Sequence, residues 1–170
     1  MMWFAARTRY GQEVSIRDRL QKKGMEYFIP TEKRRNSHGR VVEKPLVNNL
    51  VFLRTSRRAA LDLANKEYLP VHYMIDCVSH TLLTVPDRAM EDFMRVFDYS
   101  TDHGGLMDRP LELGEGVRVT RGPLKGVEGY VLEVRGRTFV VVELIGCLWA
   151  KAKVPRAWLE PTGKRRPVIT

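Results

Sequence analysis

Cysteine is scarce in this 170-residue chain, with Cys77 and Cys147 the only two. They lie far apart in sequence and form no metal-ligand spacing, so they read as two buried thiols rather than a bridge. Histidine is almost as rare. His38, His72, His80 and His103 fall into no pattern with cysteine or carboxylates, which gives no reason to expect a metal or any other cofactor. Long apolar runs are missing too. None reaches the ~18 residues that a membrane span needs. At the N-terminus a short apolar stretch precedes Arg7 and Arg9, the reverse of the order in a signal peptide. These absences predict a soluble, cytoplasmic protein with no membrane partner, and a monomer is expected.

Catalytic constellations are also wanting. The stretch RGPLKGVEGYV, from Arg121 to Val131, has the glycines and lysine of a phosphate loop but not their order. Such a loop needs a Gly-Lys-Ser/Thr step opening a helix. Here Lys125 precedes Gly126, no hydroxyl follows, and Val127–Val131 has strand chemistry. The stretch reads instead as a turn. Gly122 permits an unusual φ, Pro123 fixes one, Gly126 closes the turn, and Gly129 allows a bulge or a close corner. The run IDCVSH holds nucleophile-like residues. On a strand, Asp76 and His80 would face one way and Cys77 and Ser79 the other, so they cannot converge. No enzyme is expected.

Positive charge is abundant, with 29 Lys and Arg against 20 Asp and Glu. It is also segregated: net +9 over residues 1–60, −7 over 61–115 and +7 over 116–170. A basic start and a basic end suggest a polyanionic partner. Periodicity predicts a strand at Met2–Thr8, a helix at Gln12–Lys23 closed by Gly24, and a strand at Met25–Pro30. Thr31–Arg40 reads as a hairpin tip or mobile loop. Pro45–Thr55 is the most strand-like run of the first half, interrupted by Asn48 and Asn49. Ser56 then caps a helix, Arg57–Tyr68, with Leu61, Ala64 and Tyr68 on its buried face. Val71–Val78 and Thr81–Val85 read as two strands or one bent strand. A third helix opens at Pro86 and Asp87, with Met90, Phe93, Met94 and Phe97 as its core stripe. The first half is therefore an α+β layer with an antiparallel sheet. Residues 98–113 read as a linker, 114–161 as a small β-barrel, and 162–170 as a basic tail.

Two residue sets compete for function. Arg7, Arg9, Arg17, Arg19, Lys22 and Lys23, with Tyr10 and Gln12, form either a nucleic-acid contact or an ordinary solvated helix face. The apolar set Trp3, Phe4, Tyr27, Phe28, Leu46, Val47, Leu50 and Phe52 is mostly core, unless the sheet face away from the helices is an exposed docking patch.

Taken together, WFAARTRYGQE, YFIPTEK and PLVNNLVFLRT, followed by GEGVRVTRGPLKGVEGYVLEV, resemble the NusG family of transcription elongation factors, up to roughly Pro161. Residues 1–97 are similar to its N-terminal domain. Residues 114–161 are similar to its KOW domain, an SH3-like β-barrel, with Gly122, Pro123, Gly126 and Gly129 at the first hairpin. The resemblance implies that an apolar patch drawn from Trp3, Phe4, Val47, Leu50 and Phe52 docks on the clamp helices of RNA polymerase's largest subunit. It also implies that Arg9, Gln12, Arg17 and Arg19, with Arg57 and Arg58, contact the non-template DNA strand of the transcription bubble. The KOW domain would bind a small-subunit ribosomal protein or the termination factor Rho. The sequence departs from the family at two places. Val47-Asn48-Asn49-Leu50 stands where Phe-Pro-Gly-Tyr is usual, and GCLWAKAKVP replaces a more polar segment. Both suit a specialised paralogue of the UpxY/RfaH-like kind, an operon-specific processive antiterminator that suppresses pausing and termination. The alternatives are a general factor coupling polymerase to Rho or the ribosome, and a KOW-containing ribosomal RNA-binding protein.

Overall fold

The computed structural model describes residues 1–100, 105–108, 110 and 113–165. It divides into two compact units, Met1–Asp87 and Arg88–Thr170. Residues 166–170 of the expected basic tail, and His103, lie outside the described residues, as does part of the expected linker.

The first unit is an antiparallel sheet with helices. Its elements are β1 (Met2–Thr8), α1 (Glu13–Lys22), β2 (Glu26–Phe28), β3 (Thr31–Arg35), β4 (Val41–Pro45), β5 (Leu50–Thr55), α2 (Arg57–Asn65), β6 (Val71–Tyr73) and β7 (Thr84–Val85). The strand order is β2-β5-β1-β6, with β7 also on β1, and β3-β4 form a separate hairpin. Residues paired across an antiparallel ladder share a face. Phe4 pairs with Leu53 and Ala6 with Val51. This face carries the core cluster Ala6, Ile16, Leu20, Val51, Leu53, Leu63 and Val71, contributed by sheet and both helices. Ala5 pairs with Phe52 and Arg7 with Leu50, so these side chains take the opposite face. Leu50–Leu53 is buried at every position, so both faces of β5 are covered.

Helix ends follow local chemistry. Gly24 has a φ of 65° just past α1. Its N–H donates to the Gln21 carbonyl, and that of Met25 to the Leu20 carbonyl, the paired bonds of a Schellman ending. Ser56 Oγ accepts from the Ala59 N–H at 3.2 Å and caps α2. Several expectations need correction. α2 stops at Asn65, and it buries Ala60 and Leu63 while Leu61 and Tyr68 are exposed. Ala64 packs against the core as expected, while Ala60 and Leu63 take the places expected of Leu61 and Tyr68; the Tyr73 hydroxyl donates to the Ala60 carbonyl at 2.7 Å. Thr31–Arg40 is one strand of a hairpin plus its turn, in which Asn36 Oδ1 accepts the His38 and Arg40 N–H groups. The interruption within Pro45–Thr55 is a turn at 46–49 that separates β4 from β5.

The second unit contains most of α3 (Asp87–Tyr99) and then β8 (Leu106–Met107), β9 (Gly116–Val119), β10 (Glu128–Val134), β11 (Arg137–Leu144), β12 (Leu148–Lys153) and β13 (Leu159–Pro161). The six strands form an antiparallel sheet in the order β13-β9-β10-β11-β12-β8. Two parts of the expected division change. β8, inside the expected linker, pairs with β12. From Arg88 onward α3 groups with the second unit. Arg88, Asp92 and Arg95 explain why. At helical spacing they share one face, and they bond the Gly126 carbonyl, the Glu128 N–H and the Pro123 and Lys125 carbonyls. Met90, Phe93 and Val96 are the buried apolar side chains of α3, while Met94 and Phe97 are only half-buried.

Candidate functional site

The apolar candidates do not form one exposed patch. Trp3, Leu50 and Phe52 share a sheet face by register, and Phe28 lies against Phe52 with ring centroids 6.2 Å apart. Phe4 points to the other face, edge-on to Tyr73 at 6.0 Å. Trp3 is 5% exposed, Phe4 and Leu50 are 1%, and Phe52 is 0%. Val47 alone of the five is half-exposed, in the turn before β5. That turn is held from beneath. The buried Glu13 carboxylate at the start of α1 accepts the Asn49 N–H at 2.8 Å, and the Leu46 N–H donates to the Pro30 carbonyl at 2.8 Å.

The basic candidates separate into three groups. Arg17 is ion-paired with Asp18 and with Glu43 of the β3-β4 hairpin. Arg19 donates to the Glu67 and Tyr68 carbonyls at 2.6 and 3.3 Å, tying α1 to the end of α2. Both arginines thus join elements of the fold. Arg9 is exposed and Gln12 half-exposed at the C-terminal end of β1. Arg57 and Arg58 are exposed in the first turn of α2, which follows the Thr55 that pairs with Met2 at the other end of β1. The two ends are separated by roughly 20 Å of strand at ~3.3 Å per residue. Among the described residues, Arg9, Arg57 and Arg58 have no ion-pair partner. The β3-β4 hairpin, whose tip the sequence suggested within Thr31–Arg40, adds positive charge at Lys33, Arg35, Arg40 and Lys44. No strand was legible there because β3 is wholly polar and the valines of β4, Val41 and Val42, are adjacent rather than alternating.

The turn candidates cluster between β9 and β10. Gly122 and Gly126 have φ of 80° and 89°. A Cβ on Gly122 would sit 2.4 Å from the Trp158 ring, and one on Gly129 would sit 2.3 Å from the Val141 carbonyl oxygen. The Gly126 N–H donates to the Val119 carbonyl, and that of Lys125 to the Gly122 carbonyl, across Pro123. Immediately after the turn, Glu128 accepts from Arg118 at 2.6 Å and Lys164 at 2.8 Å. These partners, Lys164 first, pull its carboxyl from the ordinary 4.5 to about 2. Asp92 behaves oppositely, because burial raises it despite the bond from the Glu128 N–H.

The IDCVSH run is not a strand. Asp76 Oδ1 accepts the Val78 and Ser79 N–H groups, and His80 has a φ of 53°. The bonds from Ser79 lower the Asp76 carboxyl below its usual range. The residues make a self-capped turn. Both cysteines are exposed, correcting the expectation of buried thiols, because Cys77 sits in this turn and Cys147 in the one between β11 and β12.

The family model described as transcription termination factor NusG matches residues 1–94. The chain belongs to the NusG family. NusG-family proteins are non-enzymatic transcription factors that bind RNA polymerase, and this chain is accordingly of the transcription elongation factor kind. The match covers the whole first unit and the first part of α3. No curated protein matches the chain. Among solved structures, it is similar to the MjSpt4:Spt5 complex in conformation A, with 16% identity over 96% of this chain and 100% of that one. The TM-score is 0.28. No helix among the described residues is long and apolar enough to cross a membrane. Within the NusG family's usual Phe-Pro-Gly-Tyr segment, Asn49 stands at the glycine position with a φ of 64°.

Proposed function

We propose that this chain is an operon-specific processive antiterminator. It acts in the cytoplasm, docks on the clamp helices of RNA polymerase's largest subunit, and holds the non-template strand so that pausing and termination are suppressed. The observation that carries this reading is the pair Arg57 and Arg58. Two cations in the first turn of a helix oppose its macrodipole, and neither is compensated by an acid among the described residues. Stability alone favours acidic residues there. A phosphate strand resolves the conflict, because it meets both the guanidinium groups and the helix N-terminus. Arg9, with the exposed Tyr10 beside it, is a second contact at the far end of β1. Arg17 and Arg19 serve mainly to hold α1 in position.

On this reading the polymerase contact centres on Val47, with the Trp3, Leu50 and Phe52 face as its support. The second unit acts as a KOW barrel, with the Gly122–Gly129 turn at its first hairpin, and engages a small-subunit ribosomal protein or Rho. In a transcription assay with purified core polymerase, Arg57→Glu/Arg58→Glu should abolish the effect on pausing at a responsive template. Because glutamates complement the helix dipole, the variant should melt no earlier than the wild type. Full activity of that variant would overturn the DNA-contact reading. Val47→Asp should reduce recovery of the protein with core polymerase, and unchanged recovery would move the docking site elsewhere.

A further inference from the structure

A groove of about 400 Å³ in the second unit is lined by Val134, Arg135, Arg137, Phe139 and Lys151. Its residues come together by register. Val134 pairs with Arg137, Phe139 with Lys153, and Val141 with Lys151, which puts all of them on one face of β10-β12. At one end of that face Val141 and Trp149 are buried in a small apolar cluster with Leu113. At the other end the apolar cover stops, and Phe139 is left half-exposed. The Lys151 ammonium lies over its ring, 4.9 Å from the centroid. The β10-β11 turn, Arg135-Gly136, has φ of 50° and 73° and projects Arg135 at the rim. Among the described residues, Arg135, Arg137, Lys151 and Lys153 have no carboxylate partner; the nearby Glu133 is taken by Arg156.

We infer that this groove binds single-stranded nucleic acid, with one base stacked on Phe139 and the surrounding cations on the flanking phosphates. Four cations without a carboxylate partner among the described residues surround one phenyl ring, with only the Lys151–Phe139 contact to offset their mutual repulsion, which a polyanion relieves. A flat ring with cations on its rim matches a strand of bases and phosphates, the combination found in sequence-tolerant single-strand binding. Lys151 occupies the ring face only while the groove is empty. Its stem is flexible, so the ammonium swings to a phosphate as the base takes its place. The site is separate from the arginines of the first unit and does not depend on the polymerase reading.

Fluorescence anisotropy of the full chain with labelled oligouridylate and oligothymidylate of about ten nucleotides tests this. Arg135→Ala/Arg137→Ala should weaken binding about tenfold and reduce the slope of log affinity against log salt by about 1.4, at ~0.7 per phosphate lost. Phe139→Leu, which keeps the apolar volume, should also weaken binding about tenfold while leaving the thermal midpoint unchanged. Preference between the two oligomers distinguishes RNA from DNA as the natural strand, and either result supports the site. Unchanged affinity in both variants would overturn the inference. So would competition by polyglutamate as strong as by unlabelled oligonucleotide, which would identify an acidic protein surface as the occupant.

Discussion

At Asn49 the backbone enters the left-handed region with a φ of 64°. A side chain there is strained unless it is glycine or, at lower cost, asparagine. The glycine of the family's usual Phe-Pro-Gly-Tyr segment and the asparagine of this chain therefore meet the same conformational demand. The substitution still has a cost, because Asn49 Oδ1 is buried without a hydrogen-bond partner. Asn49→Gly should leave stability unchanged or raise it, since the backbone bond to Glu13 is kept. Asn49→Val should lower it by about 1–3 kcal/mol, read by chemical denaturation. Equal stability of the two variants would contradict a strained turn.

At the scale of elements, ends were more legible than faces. Gly24 closing α1 and Ser56 capping α2 are local chemistry, readable from one or two residues. Ser56→Ala should cost about 1 kcal/mol. The buried face of α2 was legible only at Ala64, which packs against the core. Its buried residues are Ala60 and Leu63, and the choice of these over Leu61 and Tyr68 depends on where the sheet lies. Leu63→Ala should therefore cost about 2–4 kcal/mol, and Leu61→Ala about 0.5 or less. Thermal melts of the two variants separate the assignments. The β3-β4 hairpin was legible at its tip but not in its strands. β3 is polar throughout and the two valines of β4 are adjacent, so no apolar alternation gives the strands away.

For the whole molecule, Glu128 is a test of how the second unit holds together. It receives Arg118 and Lys164 as its β10 strand begins, and Asp92 of α3 accepts its backbone N–H. Its carboxyl pKa is lowered on folding, so its stabilisation is complete above about 4.5 and is lost as pH falls toward about 2. Glu128→Gln should reduce stability at neutral pH and flatten the loss of stability between those values, followed by thermal melting from pH 7 to 2. An unchanged acid limb would mean that other carboxylates govern it.

Sequence by itself determined the α+β class, the closing glycine of α1 and the serine cap of α2, the turn at Gly122–Gly126 and the charge segregation. Each of these rests on one or a few neighbouring residues, or on composition. Only the tertiary structure decided which candidates share a surface. Register placed Phe4 on the opposite face from Trp3 and Phe52, because adjacent residues on a strand point opposite ways. Ion pairs and carbonyl bonds drew Arg17 and Arg19 into the fold and, among the described residues, left Arg57 and Arg58 without an ion-pair partner. The cations around Phe139 come from two neighbouring strands and the turn between two of the sheet's strands. That convergence exists only after the sheet forms, and no spacing along the chain could have announced it.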